Sequence, residues 1–337
     1  MRGKRLWTGA SAVLVGISVV AGSASAAVTT FGKWPTRYKT MYIAGSSIGS
    51  PWGSGASQWY SSTNFKLSTA VGTGASYYAY NVNEVGDWDG NTYISYSHGV
   101  ITGMTLTLNT YNTQGSAYTS SVLKGVTTHE IGHSLGLNDA PAMESSSVMS
   151  PYTFYSDEVT PLRSVTPSST DISVVNNLYP AFSSRNAGDQ VDEADSGTAP
   201  VEDGIYIHPS WAVYYEDESA LTQAADLVVR GEVAQERGSK YKKGDYQHYT
   251  TEVNVTVTEV LKGDHDPEEP VVVSQMGGTD GEVKVFSEDS TYLQTNQEVI
   301  LFLRKNADNT YRPINEDDGI YISEAGQFKN IQTDKSL

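Results

Sequence analysis

The sequence predicts an α+β domain followed by a smaller all-β domain, with an acidic linker between them. Residues 27–182 mix strand-like alternation with helical spacing and are rich in Gly, Ser, Thr and Tyr. Residues 183–204 have no apolar periodicity and contain mostly Asp, Glu, Gly, Ser and Ala, which is typical of a flexible linker. Residues 205–337 contain mainly strand-like runs. The length of 337 residues is sufficient for two such domains.

The first 26 residues have the pattern of a secretory signal peptide. Basic residues near the amino terminus precede an apolar run over Val13–Val20, and Ala24-Ser25-Ala26 matches an A-x-A cleavage site. The apolar run is shorter than the about 20 residues that a membrane-spanning helix needs. We therefore expect residues 1–26 to be removed and the mature protein to be secreted and extracellular, without a membrane partner.

In the first domain, period-2 alternation predicts strands and a longer apolar period predicts helices. Val122, Val126, His129 and His133 recur at helical spacing, and Gly136 can adopt the left-handed conformation that ends a helix. In chain order, the predicted elements are a strand at Tyr38–Ala44, a helix at Gly55–Ser62, strands at Lys66–Val71, Tyr77–Val82 and Gly103–Asn109, and a helix from Ser121 to Gly136.

The last of these helices contains the pattern H-E-x-x-H-x-x-G-x-x-D. His129 and His133 are four residues apart, so both imidazoles project from one helix face and can reach the same metal ion. The chain reversal after Gly136 can bring Asp139 back as a third ligand, and zinc accepts this donor set with one position left open. Glu130, beside the first ligand, can accept a proton from metal-activated water. The pattern predicts a zinc hydrolase.

This motif and the VMSPY segment that follows it resemble the metzincin metalloproteases, and among them the matrixins. The third ligand in that clan is usually His, and Asp139 at this place resembles the small secreted neutral proteases of actinomycetes. The resemblance covers roughly residues 35–180. It implies that Met149 lies beneath the zinc as a structural Met-turn and that Pro151 and Tyr152 wall the substrate pocket.

The same resemblance implies two further elements of a matrixin-like catalytic domain. The strand Gly103–Asn109 would be the sheet edge that pairs with an extended substrate. Residues 171–179 would form the closing helix, which Pro180 ends. The sequence has no Cys, so it excludes disulfides, thiolate metal sites and the cysteine switch that keeps many matrixins latent.

The second domain reads as a compact antiparallel barrel or sandwich. The run Thr251–Val257 alternates strictly, as a half-buried strand does. The predicted elements are a short helix at Ser219–Ala225, strands at Asp226–Val233, Tyr249–Leu261, Pro270–Ser274 and Glu298–Leu303, and a hairpin at Thr310–Ile322. The pattern gives no specific activity for this domain.

Two assignments have competing interpretations. Asp87–Asn91 places oxygen ligands at alternate positions before a Gly, as structural Ca²⁺ loops do, but it lacks the downstream Glu of an EF-hand, and a polar turn between strands is favoured. Glu144, Asp157 and Glu158 compete with Asp139 for the place of the third zinc ligand, with Glu144 ranked second.

The formal net charge is −17, and loss of the signal peptide removes three further basic residues. Such a chain repels nucleic acid and anionic membranes, so we expect a monomer whose partner is a protein or peptide substrate. The sequence therefore favours a secreted zinc metalloendopeptidase. The alternatives are a secreted binding or adhesion protein with a vestigial zinc site and a zinc hydrolase of ester or sugar-amide bonds. The intact Glu130 argues against the former, since a site that only binds metal needs no base.

Overall fold

A computed structural model describes residues 28–45, 50–73, 75–181, 202–333 and 335–337. The predicted signal peptide and residues 183–201 of the predicted linker lie outside these ranges. Within them, the longest apolar helix falls short of what crossing a bilayer would require. The described chain is α+β, with two large sheets and few helices.

The strands, in chain order, are β1 (Tyr38–Ile43), β2 (Lys66–Val71), β3 (Tyr77–Val82), β4 (Trp88–Ser97), β5 (Val100–Asn109), β6 (Tyr152–Phe154), β7 (Gly204–Val213), β8 (Leu227–Lys240), β9 (Thr250–Lys262), β10 (Val271–Met276), β11 (Gly278–Thr279), β12 (Lys284–Ser287), β13 (Glu298–Lys305), β14 (Tyr311–Pro313), β15 (Ile320–Glu324) and β16 (Gln327–Asn330). The helices are α1 (Pro51–Ser62), α2 (Thr110–Thr113), α3 (Ser120–Ser134), α4 (Ser169–Leu178) and α5 (Glu218–Ala224), with 3₁₀ turns at Tyr246–His248 and Glu316–Gly319.

The first sheet has nine strands in the order β11-β12-β7-β4-β5-β3-β1-β2, with β6 paired to β7. β1, β2, β3 and β5 run parallel to their neighbours within this group, whereas β4 is antiparallel to both β5 and β7. Because β5 lies between β3 and β4, it is an interior strand. The prediction that Gly103–Asn109 forms the substrate-pairing edge is therefore wrong, and β4 is the strand beside the candidate site.

Helices α1 and α3 pack closely against each other. A Cβ atom at Gly55 would lie 2.8 Å from Thr127 Oγ1, so only a glycine allows the two helices to come this near. The indole of Trp59, fully buried, donates to the carbonyl of Thr128 at 2.8 Å. Helix α1 begins at Pro51, four residues before the prediction, because the Ser50 hydroxyl caps it by accepting from the Gly53 amide at 3.1 Å.

The second sheet has seven strands in the order β14-β10-β9-β8-β13-β15-β16. Since β14 pairs with both β10 and β13, the five strands β14, β10, β9, β8 and β13 form a closed ring, as in a small barrel. Its interior is apolar and includes Val229, Val255, Val273 and Leu301. The predicted hairpin at Thr310–Ile322 is wrong, because β14 and β15 pair separately with β13.

The first sheet continues across the predicted boundary at residue 204. Strands β7, β11 and β12 come from residues 205–337 apart from the first residue of β7, yet they extend the sheet of the preceding part of the chain. The register pairs Thr92 with His208 and Tyr93 with Ile207. The physical reason is that β4 would otherwise present unpaired backbone groups at a sheet edge, and β7 satisfies them. From the sequence, no strand was predicted at Gly204–Val213, and this strand contains Pro209, a residue type that is rare in interior strands.

Candidate metal centre and active site

Helix α3 carries the motif, and its two ends explain its length. The Thr119 hydroxyl accepts from the Val122 amide at 3.3 Å and begins the helix. At the other end, Gly136 has a φ of +99° and a Cβ there would overlap the Gly32 carbonyl oxygen, so the turn requires a glycine. The Gly136 amide donates to His133 O at 2.8 Å and the Leu137 amide to Gly132 O at 3.3 Å, which is a Schellman ending. This confirms the predicted helix and its stop.

The two histidines are fixed with the same ring nitrogen facing inward. His129 Nδ1 lies 3.0 Å from the carbonyl oxygen of Val148, and His133 Nδ1 lies 2.9 Å from that of Leu137. Because Nδ1–H donates to a carbonyl in each case, Nε2 carries the free lone pair. The two Nε2 atoms are 3.0 Å apart. The helix and the loop beyond it therefore aim both imidazoles at one point.

Asp139 reaches the same point after the chain reversal. Its Oδ1 atom lies 3.5 Å from His129 Nε2 and 3.6 Å from His133 Nε2. Ligand atoms about 2.0–2.2 Å from a tetrahedral zinc are about 3.4 Å apart, so the spacing fits such an ion. Asp139 Oδ1 is also buried without a hydrogen-bond partner among the described residues. Buried polar atoms usually have a partner, so this is what we expect of an oxygen that binds a cation. These three side chains could hold zinc.

The electrostatic surroundings of Asp139 come partly from the second half of the chain. Burial raises the pKa of Asp139 well above its usual range, and the carboxylates of Asp289 and Glu288 raise it further, whereas Arg163 opposes them. Burial likewise lowers the pKa of His129 and of His133. Both effects disfavour charged side chains in the absence of a counter-charge, so a divalent cation would stabilise the ionised Asp139.

Glu130 lies beside this group and is fully buried. Its Oε2 atom accepts from the Thr92 hydroxyl at 2.6 Å, whereas Oε1 has no hydrogen-bond partner among the described residues. A Cβ at Gly90 would overlap Oε1 and lie 2.8 Å from Cδ, so β4 needs glycine where it crosses the carboxylate. Burial raises the pKa of Glu130 well above its usual range, and the Thr92 bond opposes this. Such a carboxylate is a stronger base than one in water.

Met149 packs against helix α3 at Gly132, and its role as a Met-turn beneath the metal stays a prediction. A Cβ at Gly132 would overlap Met149 Sδ, so the thioether packs directly against the motif helix. The Met149 amide donates to Ser147 Oγ at 2.9 Å, and that hydroxyl donates to Asp171 Oδ1 at 2.7 Å. The Met149 carbonyl accepts from the Ala140 amide at 2.8 Å, next to Asp139. These hydrogen bonds fix Met149 and, through Ala140, the position next to the third candidate ligand Asp139.

Asp171 connects this loop to the closing helix. It occupies the third position of α4 and forms a capping box with Ser168, and it also accepts from the Val148 amide at 3.2 Å. The helix covers Ser169–Leu178, which confirms the prediction for residues 171–179 to within two residues. Asp171 thus caps helix α4 and also holds the segment around Met149 in place.

Pro151 and Tyr152, predicted to wall a pocket, are covered in this structure. Tyr152 is fully buried and donates its hydroxyl to Asp318 at 3.0 Å. The Pro151 carbonyl accepts from the amide of Trp211 at 2.8 Å, and the Trp211 side chain packs in the same apolar cluster as Tyr152. Their role as a pocket wall stays a prediction, and the segment that contains Trp211 lies against both residues.

The structure does not support Ca²⁺ at residues 87–91, nor the polar turn preferred there, since Trp88–Ser97 is a strand. Asp87 lies 3.0 Å from Arg304 Nε and 3.4 Å from Arg312 Nε, whereas Asp89 accepts from the Ser210 hydroxyl at 2.6 Å. Their carboxylates therefore serve separate contacts and share no ion.

The competing third ligands are engaged elsewhere. Glu144 accepts from the Ser146 amide at 3.3 Å, and Asp157 accepts from the amides of Val159 and Thr160 at 3.0 and 2.8 Å. Glu158 is exposed. The metal-binding group found among the described residues contains Asp139 and none of these three.

Sequence reasoning missed three residues near the site. Thr92 orients Glu130, and Arg163 donates to the carbonyl of Ser150 at 2.6 Å. The His208 ring lies 4.7 Å from that of His133, centroid to centroid. Only the fold brings these three to the motif. The sequence signal for His208 was its position in a mostly apolar run at residues 205–213.

Neither a family model nor a curated protein matches this chain. Among solved structures, myroilysin is similar with 14% sequence identity and a TM-score of 0.32, over 46% of this chain and 99% of its own. High choriolytic enzyme 1, a hatching enzyme zinc-protease from the medaka fish Oryzias latipes, shares 16% identity with a TM-score of 0.26, over 44% of this chain and 94% of its own. Likeness at this level carries no argument about activity, which depends on the geometry above.

Proposed function

We propose that this chain is a secreted zinc-dependent endopeptidase of the metzincin type, with a matrixin-like site. One observation carries the proposal. Two imidazole Nε2 atoms and one carboxylate oxygen converge within tetrahedral ligand spacing, and a second, buried carboxylate lies beside them; one oxygen of each carboxylate has no hydrogen-bond partner within the described part of the chain. A site that only bound metal for stability would have no use for that second carboxylate.

The chain's residues divide the chemistry among them. Zinc held by His129, His133 and Asp139 would supply Lewis-acid activation of the attacking water and of the scissile carbonyl. Thr92 holds Oε2 of Glu130, which leaves Oε1 free to take the proton from that water. The same atom can then deliver the proton to the leaving nitrogen. The elevated pKa of Glu130 suits both steps, because the group must accept a proton and then release it.

The proposed substrate is an extended protein or peptide segment. It would pair with the side of β4 that β7 occupies in this structure, so that binding depends mainly on main-chain hydrogen bonds once β7 has withdrawn. The wall at Pro151 and Tyr152 would supply side-chain preference. The formal net charge of −17 disfavours nucleic acid as a partner, and we propose that the chain acts as a monomer outside the cell.

The test is hydrolysis of casein by full-length, zinc-loaded chain, before and after limited digestion by a serine protease that is then inhibited. We expect hydrolysis that a zinc chelator abolishes. Glu130→Gln is the matched control, since the amide is nearly isosteric but is not a base. It should retain zinc and lose about 10²–10⁴-fold in rate. Near-normal hydrolysis by Glu130→Gln with full zinc occupancy would refute the mechanism, and chelator-insensitive hydrolysis would refute the zinc assignment.

A further inference from the structure

The two histidines and the candidate base are closed to solvent, whereas the Asp139 side chain keeps 18% of its surface exposed. His129, Glu130 and His133 all have 0% exposed surface. An endopeptidase needs these groups to meet a substrate, so something covers them that a substrate must replace. The cover is strand β7, which lies between β4 on one side and β6 on the other.

The path of β7 is the path proposed for a substrate. From Gly204 to Trp211 it runs antiparallel to β4, and from Trp211 to Val213 it runs parallel to β6 in the wall segment. The Trp211 amide donates to Pro151 O and the Tyr214 amide to Phe154 O, both at 2.8 Å. A strand in this position crosses helix α3, and it pairs with the main-chain groups of β4 on one side and of β6 on the other.

His208 stands over the reactive centre. It is opposite Thr92 in the sheet register, and Thr92 is the residue that orients Glu130. The His208 ring packs on that of His133 with an interplanar angle of 32°. Its Nδ1 atom lies 2.7 Å from Glu288 Oε2, and the whole side chain is buried. A peptide that placed its scissile bond near Glu130 would collide with this side chain.

Two neighbouring residues anchor β7. The Ser210 hydroxyl donates to Asp89 at 2.6 Å and accepts from Arg163 Nη2 at 2.7 Å. The Trp211 indole donates to Asp289 Oδ2 at 2.9 Å, while its rings fill the apolar cluster with Tyr152. Charge-assisted bonds and a buried aromatic ring are the features of a specific, tightly held segment.

Residues that follow β7 in the chain also contact it, on the side away from β4. Strand β12 pairs with it in parallel, with Val285 opposite Ile205, and Glu288 and Asp289 follow that strand directly. Glu288, which contacts His208, and Asp289, which accepts from Trp211, thus belong to the connection between β12 and the barrel strand β13. The barrel and the segment in the groove form one continuous structure.

We propose that residues 204–213 occupy the substrate groove as an intramolecular pseudosubstrate and that residues 205–337 thereby keep the endopeptidase latent. The claim of latency rests on the proposed function as an endopeptidase. Occupancy of the groove by residues 204–213 can be measured without catalysis. Withdrawal of β7 exposes the β4 edge, the wall at Pro151 and Tyr152, and the free oxygen of Glu130 together.

The occupancy test uses binding. Trp211→Ala combined with Ser210→Ala removes both anchors from the full chain, and Ala212→Pro is a second release variant because it deletes the amide that donates to Asp87 O at 2.9 Å. Leu301→Ala is the matched control, since Leu301 is fully buried in the barrel and away from the groove. All chains carry Glu130→Gln and are metal-free. The probe is a fluorescently labelled peptide with the sequence GIYIHPSWAV.

We expect the release variants to bind the probe at least about tenfold more tightly than the unaltered and Leu301→Ala chains. Equal binding by all chains, including none, overturns groove occupancy. The second measurement is hydrolysis of a fluorogenic peptide by the zinc-loaded chains with Glu130 intact, where release should raise kcat/KM at least about tenfold. Measurable, chelator-sensitive hydrolysis at equal rates in all chains overturns latency. Probe binding confined to the release variants, with no chelator-sensitive hydrolysis in any chain, refutes the endopeptidase and leaves the occupancy standing.

Discussion

Gly90→Ala tests whether the position of the Glu130 carboxylate determines the rate. The added methyl would lie 2.8 Å from Glu130 Cδ, where ordinary contact is about 3.5–4.0 Å, so the carboxylate must retreat by about 1 Å. That shift stretches the 2.6 Å bond from Thr92 beyond hydrogen-bond range. A displacement of this size in a reacting group costs about 10²-fold in rate.

The assay is kcat/KM on a fluorogenic peptide, with zinc per chain measured in parallel, in chains that carry the release substitutions. Gly103→Ala is the matched control on the neighbouring strand, because its methyl would make only ordinary contacts, the nearest at 3.4 Å from Ser95. We expect both variants to retain zinc and only Gly90→Ala to lose about 10²-fold in kcat/KM. Rates within threefold of each other would refute the assigned position of the base.

Three further outcomes follow from the structure. Asp139→Ala should release zinc during dialysis whereas Glu144→Ala retains it; the reverse, seen by metal analysis, would transfer the ligand role. Burial raises the pKa of Glu316 to about 8, so its contribution to stability should be lost as pH rises from about 4.5, its unfolded value, through 8. The free energy of unfolding from urea titrations should depend less on pH for Glu316→Gln than for the unaltered chain. Parallel curves of unfolding free energy against pH would exclude a raised pKa of Glu316 in the folded state. A single engineered cut within residues 182–201 should leave both pieces co-eluting, since β4 and β7 share a sheet; separate elution would contradict that pairing in solution.

The parts of the fold that local sequence determines were predicted. Strands β2 and β3 have the predicted bounds, and α3 ends as Gly136 indicated. In each case the signal, alternation or a residue suited to positive φ, lies within the element itself. The arrangement of His129, His133 and Asp139 was predictable for the same reason, because one helix and one turn bring them together.

The errors arose where a remote partner changes what a residue can do. Asp89, Gly90 and Asn91 looked like a turn, but in β4 Asp89 is satisfied by Ser210, 121 residues later in the chain. No strand was predicted over residues 204–213, yet β7 pairs with β4 on both sides of Pro209. The substrate edge was assigned to β5 because strand order in a sheet cannot be read from strand order in the chain. Long-range pairing also brings strands from both predicted domains into the first sheet.

Covalent attachment gives the β7 segment an effective concentration that does not depend on how dilute the protein is. Short flexible connections place a tethered partner at roughly millimolar effective concentration, so a free peptide must approach that level to compete. One cut between the halves converts the same contacts into a bimolecular complex with an ordinary dissociation constant. Dilution would then release β7 from the groove of the cut protein, although it cannot do so in the intact chain. The protein concentration at which activity appears would therefore depend on whether the chain is cut and not on any change in the contacts of β7.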